Sequence, residues 1–441
     1  MSRTLTTAVL VLAFVARVAA AWHWSGHLDD DRDVYRALAL GIVEGRGFSS
    51  PGTSSPTAYR PPLYPLLLAA TGGANSTLPV AVLNILFGTL TVAFVLAAAR
   101  QLQLGGRASL IAGLLTAIDP LLLYYTSFPM TETLCTCLLT AFLWSVLRMQ
   151  SAGGFAQIRW GVVCGVLLGM TALCRPTVWA CAILLVGWWI VQGVLLRSRE
   201  HRDSAARREP RPPGGDVAAG VESVRFPSLV VLLMCAGLTV APWAIRNGRV
   251  FGRTIVTTTH GGYTLLLGNN PAYYDEVVNQ PLGVVWDGSR GAGQQAWAAD
   301  LVGQTDAAGL HGEIERDRWM SQEAWRTICA NPAMFVRACG RRFLHFWSIV
   351  PNVRSDASLP QFAVWSIGIY YAIVFASLAG GFARIALGHV DRRRWLIPAL
   401  LIAGFCGVHL LYWSDARMRA PVMPEIALVA ACGLSRKMER G

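Results

Sequence analysis

Ten apolar runs, each near the length of a bilayer crossing, constrain this chain more than any single motif. They fall roughly at 4–21, 78–98, 108–126, 130–148, 158–174, 176–196, 227–245, 361–385, 395–413 and 420–434. A helix needs ~20 consecutive apolar residues to cross the hydrocarbon core. Of the 441 residues, 54% are hydrophobic and 15% charged, and the mean hydropathy is +0.43. That composition excludes a chain of soluble domains. The expected class is an all-α polytopic membrane protein with about ten transmembrane helices. Surface helices are expected in the first outer loop, and a mixed soluble segment outside. Many of the 16 tryptophans stand at the ends of the runs, as interfacial anchors do.

Basic residues orient the runs. With the N-terminus and Arg3 in the cytoplasm, several basic groups share its side: Arg100, Arg107, Arg148, Arg159, the run 197–211, Arg392-Arg393-Arg394 and Arg436-Lys437. Short loops rich in Arg and Lys stay cytoplasmic. The expected location is therefore a bacterial-type plasma membrane, with both termini cytoplasmic. The net charge of +12 is then a topology signal. The basic runs flank membrane helices, so no nucleic-acid partner is expected. Segment 1–24 ends in Trp22-His23-Trp24 where a signal peptide has a small-x-small site, so it is expected to stay as a signal anchor. Most of the ten cysteines lie within apolar runs as small hydrophobes. Cys329 and Cys339, on an expected outer helix, stand too far apart to bridge.

Three modules are expected. Residues 1–247 form a membrane module whose first outer loop, 22–77, carries the chemistry. Residues 248–360 form an outer loop domain, and 361–441 the last membrane helices. In the first loop Val34, Leu38, Gly41 and Ile42 share one helical face, and Gly45 and Gly47 stop that helix. It is expected to lie on the membrane surface. Segment 254–270, rich in Thr, Val, Gly and Leu, reads as a hairpin or an extended lining. Segment 311–347 reads as helices broken at Asn331-Pro332. The Arg-, Pro- and Gly-rich segment 197–226 reads as a flexible cytoplasmic linker.

Charged residues gather at the outer helix ends. Asp29-Asp30-Asp31-Arg32-Asp33 follows the first run, and Arg60 precedes a short apolar stretch. Glu132 begins the run at 130, Arg175 ends the run at 174, and Arg246 ends the run at 245. Arg417 and Arg419 stand just before the last run. Ionisable groups at membrane depth are costly unless paired or functional. Arginine binds phosphate oxygens bidentately, and a carboxylate can take a proton from a hydroxyl. Together they suit a phosphate held at the interface beside a base. Each arginine taken singly also suits a side chain snorkelling to lipid head groups. Asp29 and Asp30 suit a solvated loop.

The motifs have a definite order. Asp31 stands four residues before Tyr35, and Arg60-Pro61-Pro62-Leu63-Tyr64-Pro65 follows. Then come Asp119-Pro120, Thr131-Glu132, Arg175-Pro176 and Pro242-Trp243 with Arg246-Asn247. Gly261-Gly262, Gly268-Asn269-Asn270-Pro271, Asn331-Pro332, Phe346-Trp347 and Arg417-Met418-Arg419-Ala420-Pro421 complete the set. The set resembles the GT-C superfamily of polyprenyl-phosphate-sugar-dependent glycosyltransferases, over about 28–270 and 325–435. The nearest branch is that of protein O-mannosyltransferases and lipid A aminoarabinose transferases.

The resemblance implies a membrane glycosyltransferase with an outward-facing site. Such an enzyme moves a hexosyl or pentosyl group from a polyprenyl-phosphate donor to a protein, lipid or glycan acceptor. It implies that Asp31 is the catalytic base, with Asp33 as runner-up and Glu132 as a second acid. Arg60, Tyr35, Tyr64, Arg175, Arg246, Arg417 and Arg419 are the implied phosphate- and donor-binding residues. The family's acidic pair is Asp31-Arg32 here, which weakens the case for a divalent metal without closing it.

Two other function classes share some of these features. A lipid or solute transporter would place charges near the bilayer midplane and repeat its halves. Here the charges gather on one face and no internal repeat is found. A surface-polysaccharide polymerase or ligase using a diphosphate-linked donor shares the topology, but needs no first-loop acid followed by Arg-Pro-Pro.

Overall fold

The computed structural model describes residues 1–206, 224–350 and 360–435. The first half runs α1 (Arg3–His23), α2 (Tyr35–Val43), α3 (Leu63–Thr71), α4 (Thr77–Gln101), α5 (Gly106–Ala117), α6 (Pro120–Tyr125), α7 (Thr131–Ser151), α8 (Gly154–Cys174), α9 (Val178–Ala206) and α10 (Phe226–Phe251). The second half runs α11 (Gly261–Gly268), α12 (Pro271–Tyr273), α13 (Gly293–Ala307), α14 (Glu313–Ala330), α15 (Pro332–Phe346), α16 (Gln361–Ala386), α17 (Arg392–Leu411) and α18 (Met423–Leu434). No strand occurs among the described residues, where one isolated bridge joins Ser49 and Pro56. The chain is an all-α integral membrane protein.

Among the described residues seven helices, α1, α4, α7, α8, α10, α16 and α17, are long and apolar enough to cross a membrane. The other three apolar runs lie in helices whose apolar parts are shorter. Run 176–196 lies in α9, whose apolar part is Val178–Gly193, and run 420–434 contains α18. Run 108–126 divides into α5 and α6. There Asp119 accepts the amide of Leu122 at 3.0 Å and Pro120 opens the new helix, so Asp119-Pro120 is a helix start inside an apolar run. Linker 197–226 is described only where α9 continues to Ala206 and from residue 224 onward. The rest of it, and Arg436-Lys437, lie outside the described residues.

Helix α7 is the centre of the bundle, with 89% of its membrane window buried. Its Thr and Cys content suits that place. Thr136 and Thr140 return their hydroxyls to the carbonyls of Glu132 and Thr136, each at 2.7 Å, so the polar side chains cost little when buried. Helices α8 and α10 pack backbone to backbone. A Cβ at Gly161, Gly165 or Gly169 would meet Ser228 O at 2.8 Å, Leu232 O at 2.3 Å or Thr239 Cβ at 2.5 Å. Small residues four apart permit this close approach in lipid, where packing drives association.

In the first loop α2 forms as expected, and Gly45 (φ 79°) and Gly47 (φ 72°) end it. Val34 stands before it in the left-handed region (φ 57°) instead of within it. Segment 254–270 folds differently from the hairpin or extended lining expected. Its second half is α11, packed on α14, because Leu265, Leu266 and Leu267 find buried places as a helix. Segment 311–347 forms α14 and α15, separated where the Asn331 side chain accepts the amide of Met334 at 3.1 Å.

Candidate active site

Five side chains from distant parts of the chain form one charged network. Arg60 Nη2 donates to Asp33 Oδ1 at 3.0 Å. Arg417 donates from Nη2 to Asp33 Oδ2 and from Nε to Glu132 Oε1. Arg175 Nη2 donates to the same Glu132 oxygen at 2.8 Å. Local structure presents each of them. Asp33 lies in the turn before α2, and Arg60 before α3. Glu132 is in the first turn of α7, where the helix dipole favours a carboxylate. Arg175 ends α8, and Arg417 belongs to the 3-10 turn Ala416–Val422.

The network borders a cavity of about 900 Å³, lined by Asp33, Arg60, Arg175, Arg417 and Tyr35 among others. Burial alone would raise Asp33, but Arg417 and Arg60 outweigh it and hold the carboxyl down to about 2. Burial lowers Arg417, yet Glu132 and Asp33 leave it well above its ordinary value. Arg60 Nε, Arg175 Nη1 and Glu132 Oε2 are buried and make no hydrogen bond within the described residues. The arrangement therefore offers spare cationic donors and an ionised carboxylate on one wall.

The sequence-predicted residues divide into three groups. Asp33, Glu132, Arg60, Arg175 and Arg417 meet in the network. Tyr35 lines the cavity with the Arg60 guanidinium 5.7 Å over its ring, and buried Tyr64 supports it edge-on at 5.5 Å. Asp31, Arg246 and Arg419 face elsewhere. Asp31 Oδ2 accepts the amide of Ala37 at 2.9 Å, at the N-terminus of α2. Burial raises its pKa, and the amides of Ala37, Arg36 and Tyr35 moderate the rise. Arg246 donates to the carbonyls of Thr57 (2.8 Å) and Phe48 (2.7 Å), and so clamps the first loop. Arg419 donates to the carbonyls of Phe346 (2.8 Å) and Ser348 (2.6 Å) and lies 4.3 Å over Tyr371.

Sequence reasoning missed Glu313, His260, Trp286 and Trp413. Glu313 accepts from the Thr57 hydroxyl at 2.7 Å, the Ala58 amide at 2.9 Å and the Thr259 hydroxyl, tying the first loop to segments 254–270 and 311–347 just ahead of Arg60. Nothing local in the sequence marks Glu313. His260 directly precedes the Gly261-Gly262 motif, which was the available signal. Among the described residues no group of three or more His, Cys, Asp or Glu side chains is placed to hold a metal.

Several solved structures are similar in fold. An archaeal oligosaccharyltransferase, AglB from Archaeoglobus fulgidus, in complex with an inhibitory peptide and a dolichol-phosphate, shares 16% identity at a TM-score of 0.44. The match covers 97% of this chain and 50% of that one, so this chain spans about half its length. ArnT from Cupriavidus metallidurans, bound to undecaprenyl phosphate, shares 14% identity at a TM-score of 0.40, covering 98% of this chain and 77% of that one. No curated protein matches the chain significantly. Residues 59–202, the stretch that contributes Arg60, Glu132 and Arg175 to the network, match the family model of dolichyl-phosphate-mannose-protein mannosyltransferases, the branch that the sequence motifs resemble.

Proposed function

We propose that the protein is an integral membrane glycosyltransferase that moves a sugar from a polyprenyl-phosphate donor to an acceptor hydroxyl. The observation that carries this reading is the chain Arg60–Asp33–Arg417–Glu132–Arg175 on the wall of a large cavity. Three guanidiniums, two with unpartnered donors, suit a phosphate, and Asp33 among them suits the base. The family match over 59–202 supports the lipid-phosphate donor. Trp179, Ala180 and Val408, apolar residues of α9 and α17 on the cavity wall, suit the prenyl chain.

In this reading the acceptor oxygen attacks the anomeric carbon from the face opposite the phosphate. Its proton passes to a carboxylate oxygen of Asp33. The bond from anomeric carbon to phosphate oxygen breaks, and its electron pair leaves with the phosphate. Arg60, Arg175 and Arg417 hold that developing charge. Asp33 takes the base role first assigned to Asp31 because it borders the cavity, whereas Asp31 is engaged with α2. Glu132 orients Arg175 and Arg417. The site faces the extracytoplasmic side, with both termini cytoplasmic. Residues 1–247, 248–360 and 361–441 act as catalytic membrane module, outer loop domain and closing membrane helices. The basic-loop parity supports this orientation.

The test is transfer from a synthetic polyprenyl-phosphate sugar by protein in liposomes, followed as release of polyprenyl phosphate. A lost charge-assisted hydrogen bond is worth about 1.5–3 kcal/mol, so Arg60→Ala should lower kcat/KM for the donor roughly tenfold or more. Unchanged donor dependence would remove Arg60 from the site.

A further inference from the structure

Beyond Arg60, whose guanidinium lies 5.3 Å over the Tyr59 ring and 3.4 Å from His260 Nε2, the cavity wall turns aromatic. Its charged lining residues are Arg32, Asp33, Arg60, Arg175, Asp415 and Arg417, and the remaining lining is aromatic, neutral polar or apolar. Tyr59 meets His260 at 4.3 Å, and His260 stacks on Tyr263 at 5.2 Å. Trp297 stands behind, 6.1 Å from Tyr263 and 5.3 Å from Trp286, and Trp286 lies 6.2 Å from Trp413. The wall is fixed in place. Glu276 accepts the Trp286 indole N–H at 3.0 Å and the amides of Gly293 (2.9 Å) and Ala292 (3.2 Å), which pins the loop that carries Trp286.

Three buried ring nitrogens on this cavity, His260 Nδ1, His345 Nε2 and His409 Nε2, make no hydrogen bond within the described residues. Burial and Arg60 push His260 down to about 3, and burial and Arg341 push His345 down to about 4, so both are neutral at pH 7. A neutral imidazole offers one donor and one acceptor. That pairing suits hydroxyl groups better than charged ones.

We propose that this aromatic chamber binds the acceptor, and that the acceptor is a neutral saccharide. The inference rests on the glycosyltransferase reading. A pyranose ring has a face of C–H bonds, which packs on the negative face of an aromatic ring. Its hydroxyls need donors and acceptors together, as the free histidine nitrogens and Thr257, Thr258 and Thr264 provide. Beyond the network that the donor phosphate occupies, the one further cation on the lining is Arg32, which is already paired with Asp30.

The test uses the full chain in lipid nanodiscs loaded with undecaprenyl phosphate. Saturation-transfer NMR is recorded with α-1,6-mannobiose, maltotriose, cellotriose and a threonine-containing tetrapeptide. At least one saccharide should give a saturable signal. Tyr263→Ala should weaken it roughly tenfold, the scale of one aromatic contact, while Tyr263→Phe keeps it. A signal from the peptide alone, from no saccharide, or one indifferent to Tyr263→Ala overturns the proposal. Binding of undecaprenyl phosphate is measured separately on the same protein. If the lipid phosphate fails to bind, the donor reading falls; if it binds and the saccharides do not, the acceptor inference alone falls.

Discussion

Asp31 and Asp33 stand two residues apart and bind opposite partners. Asp31 takes the backbone amide of Ala37, and Asp33 takes the guanidiniums of Arg60 and Arg417. One anchors the helix, and the other belongs to the charged network. Asp33→Asn keeps the size and removes the basicity, so kcat should fall by a factor on the order of 10²–10⁴. Asp31→Asn keeps an acceptor oxygen for Ala37 and should stay within a few-fold of wild type. Asp31→Ala loses that bond and should cost about 1 kcal/mol of stability. Turnover and thermal unfolding of the three variants check this; an active Asp33→Asn would move the base elsewhere.

Arg246→Ala separates a clamp from a ligand. Arg246 holds two first-loop carbonyls and does not line the cavity. Its loss should loosen 48–57 and lower the unfolding temperature. The affinity for undecaprenyl phosphate should change less than in Arg60→Ala. A larger loss of lipid-phosphate affinity in Arg246→Ala than in Arg60→Ala would contradict the clamp.

Acid should destabilise the region around His260 and His345 before it reaches Asp33. His260 and His345 titrate at about 3 and about 4 when folded, against 6.5 for a free imidazole. The unfolded chain therefore binds more protons below pH 6.5, and stability falls as pH drops from there toward 4. Asp33, at about 2 when folded and 3.8 ordinarily, loses its contribution only below that range. Unfolding temperatures between pH 7 and 4 should decline, and His345→Gln should flatten the slope. An unchanged slope in His345→Gln would show that His345 does not carry the effect.

Gly165→Ala tests the α8–α10 seam. The added Cβ would lie 2.3 Å from Leu232 O, a backbone atom that cannot step aside. Overpacking of this kind costs typically about 1–3 kcal/mol. Gly187→Ala, on α9 with nothing within 4 Å of the added Cβ, is the matched control. Equal unfolding temperatures for the two variants would mean that the seam is not tight.

Much of this was legible in the sequence, for physical reasons. Apolar runs report helices because the bilayer admits few alternatives. Arg60, Glu132, Arg175 and Arg417 were legible because charges at helix ends need partners. The difference between Asp31 and Asp33 was not. It depends on which partners the folded turn before α2 brings to each, an amide for one carboxylate and arginines for the other. Arg246 and Arg419 look like phosphate ligands in a string of letters, because nothing there reveals that carbonyls 70 to 200 residues away claim them. Glu313 was silent for the same reason. The break at Asp119-Pro120 was written in the sequence, but hydropathy averaged over it.

The glycine seam has a mechanical consequence. Where two helices touch backbone to backbone over successive turns, no layer of soft side chains remains to shear between them. They move as one stiff plank. Arg175 caps one edge of that plank and Arg246 rides near the end of the other. When a thinner or thicker bilayer tilts α8, α10 tilts with it. Arg175 and Arg246 then keep their spacing while lipid thickness varies around them.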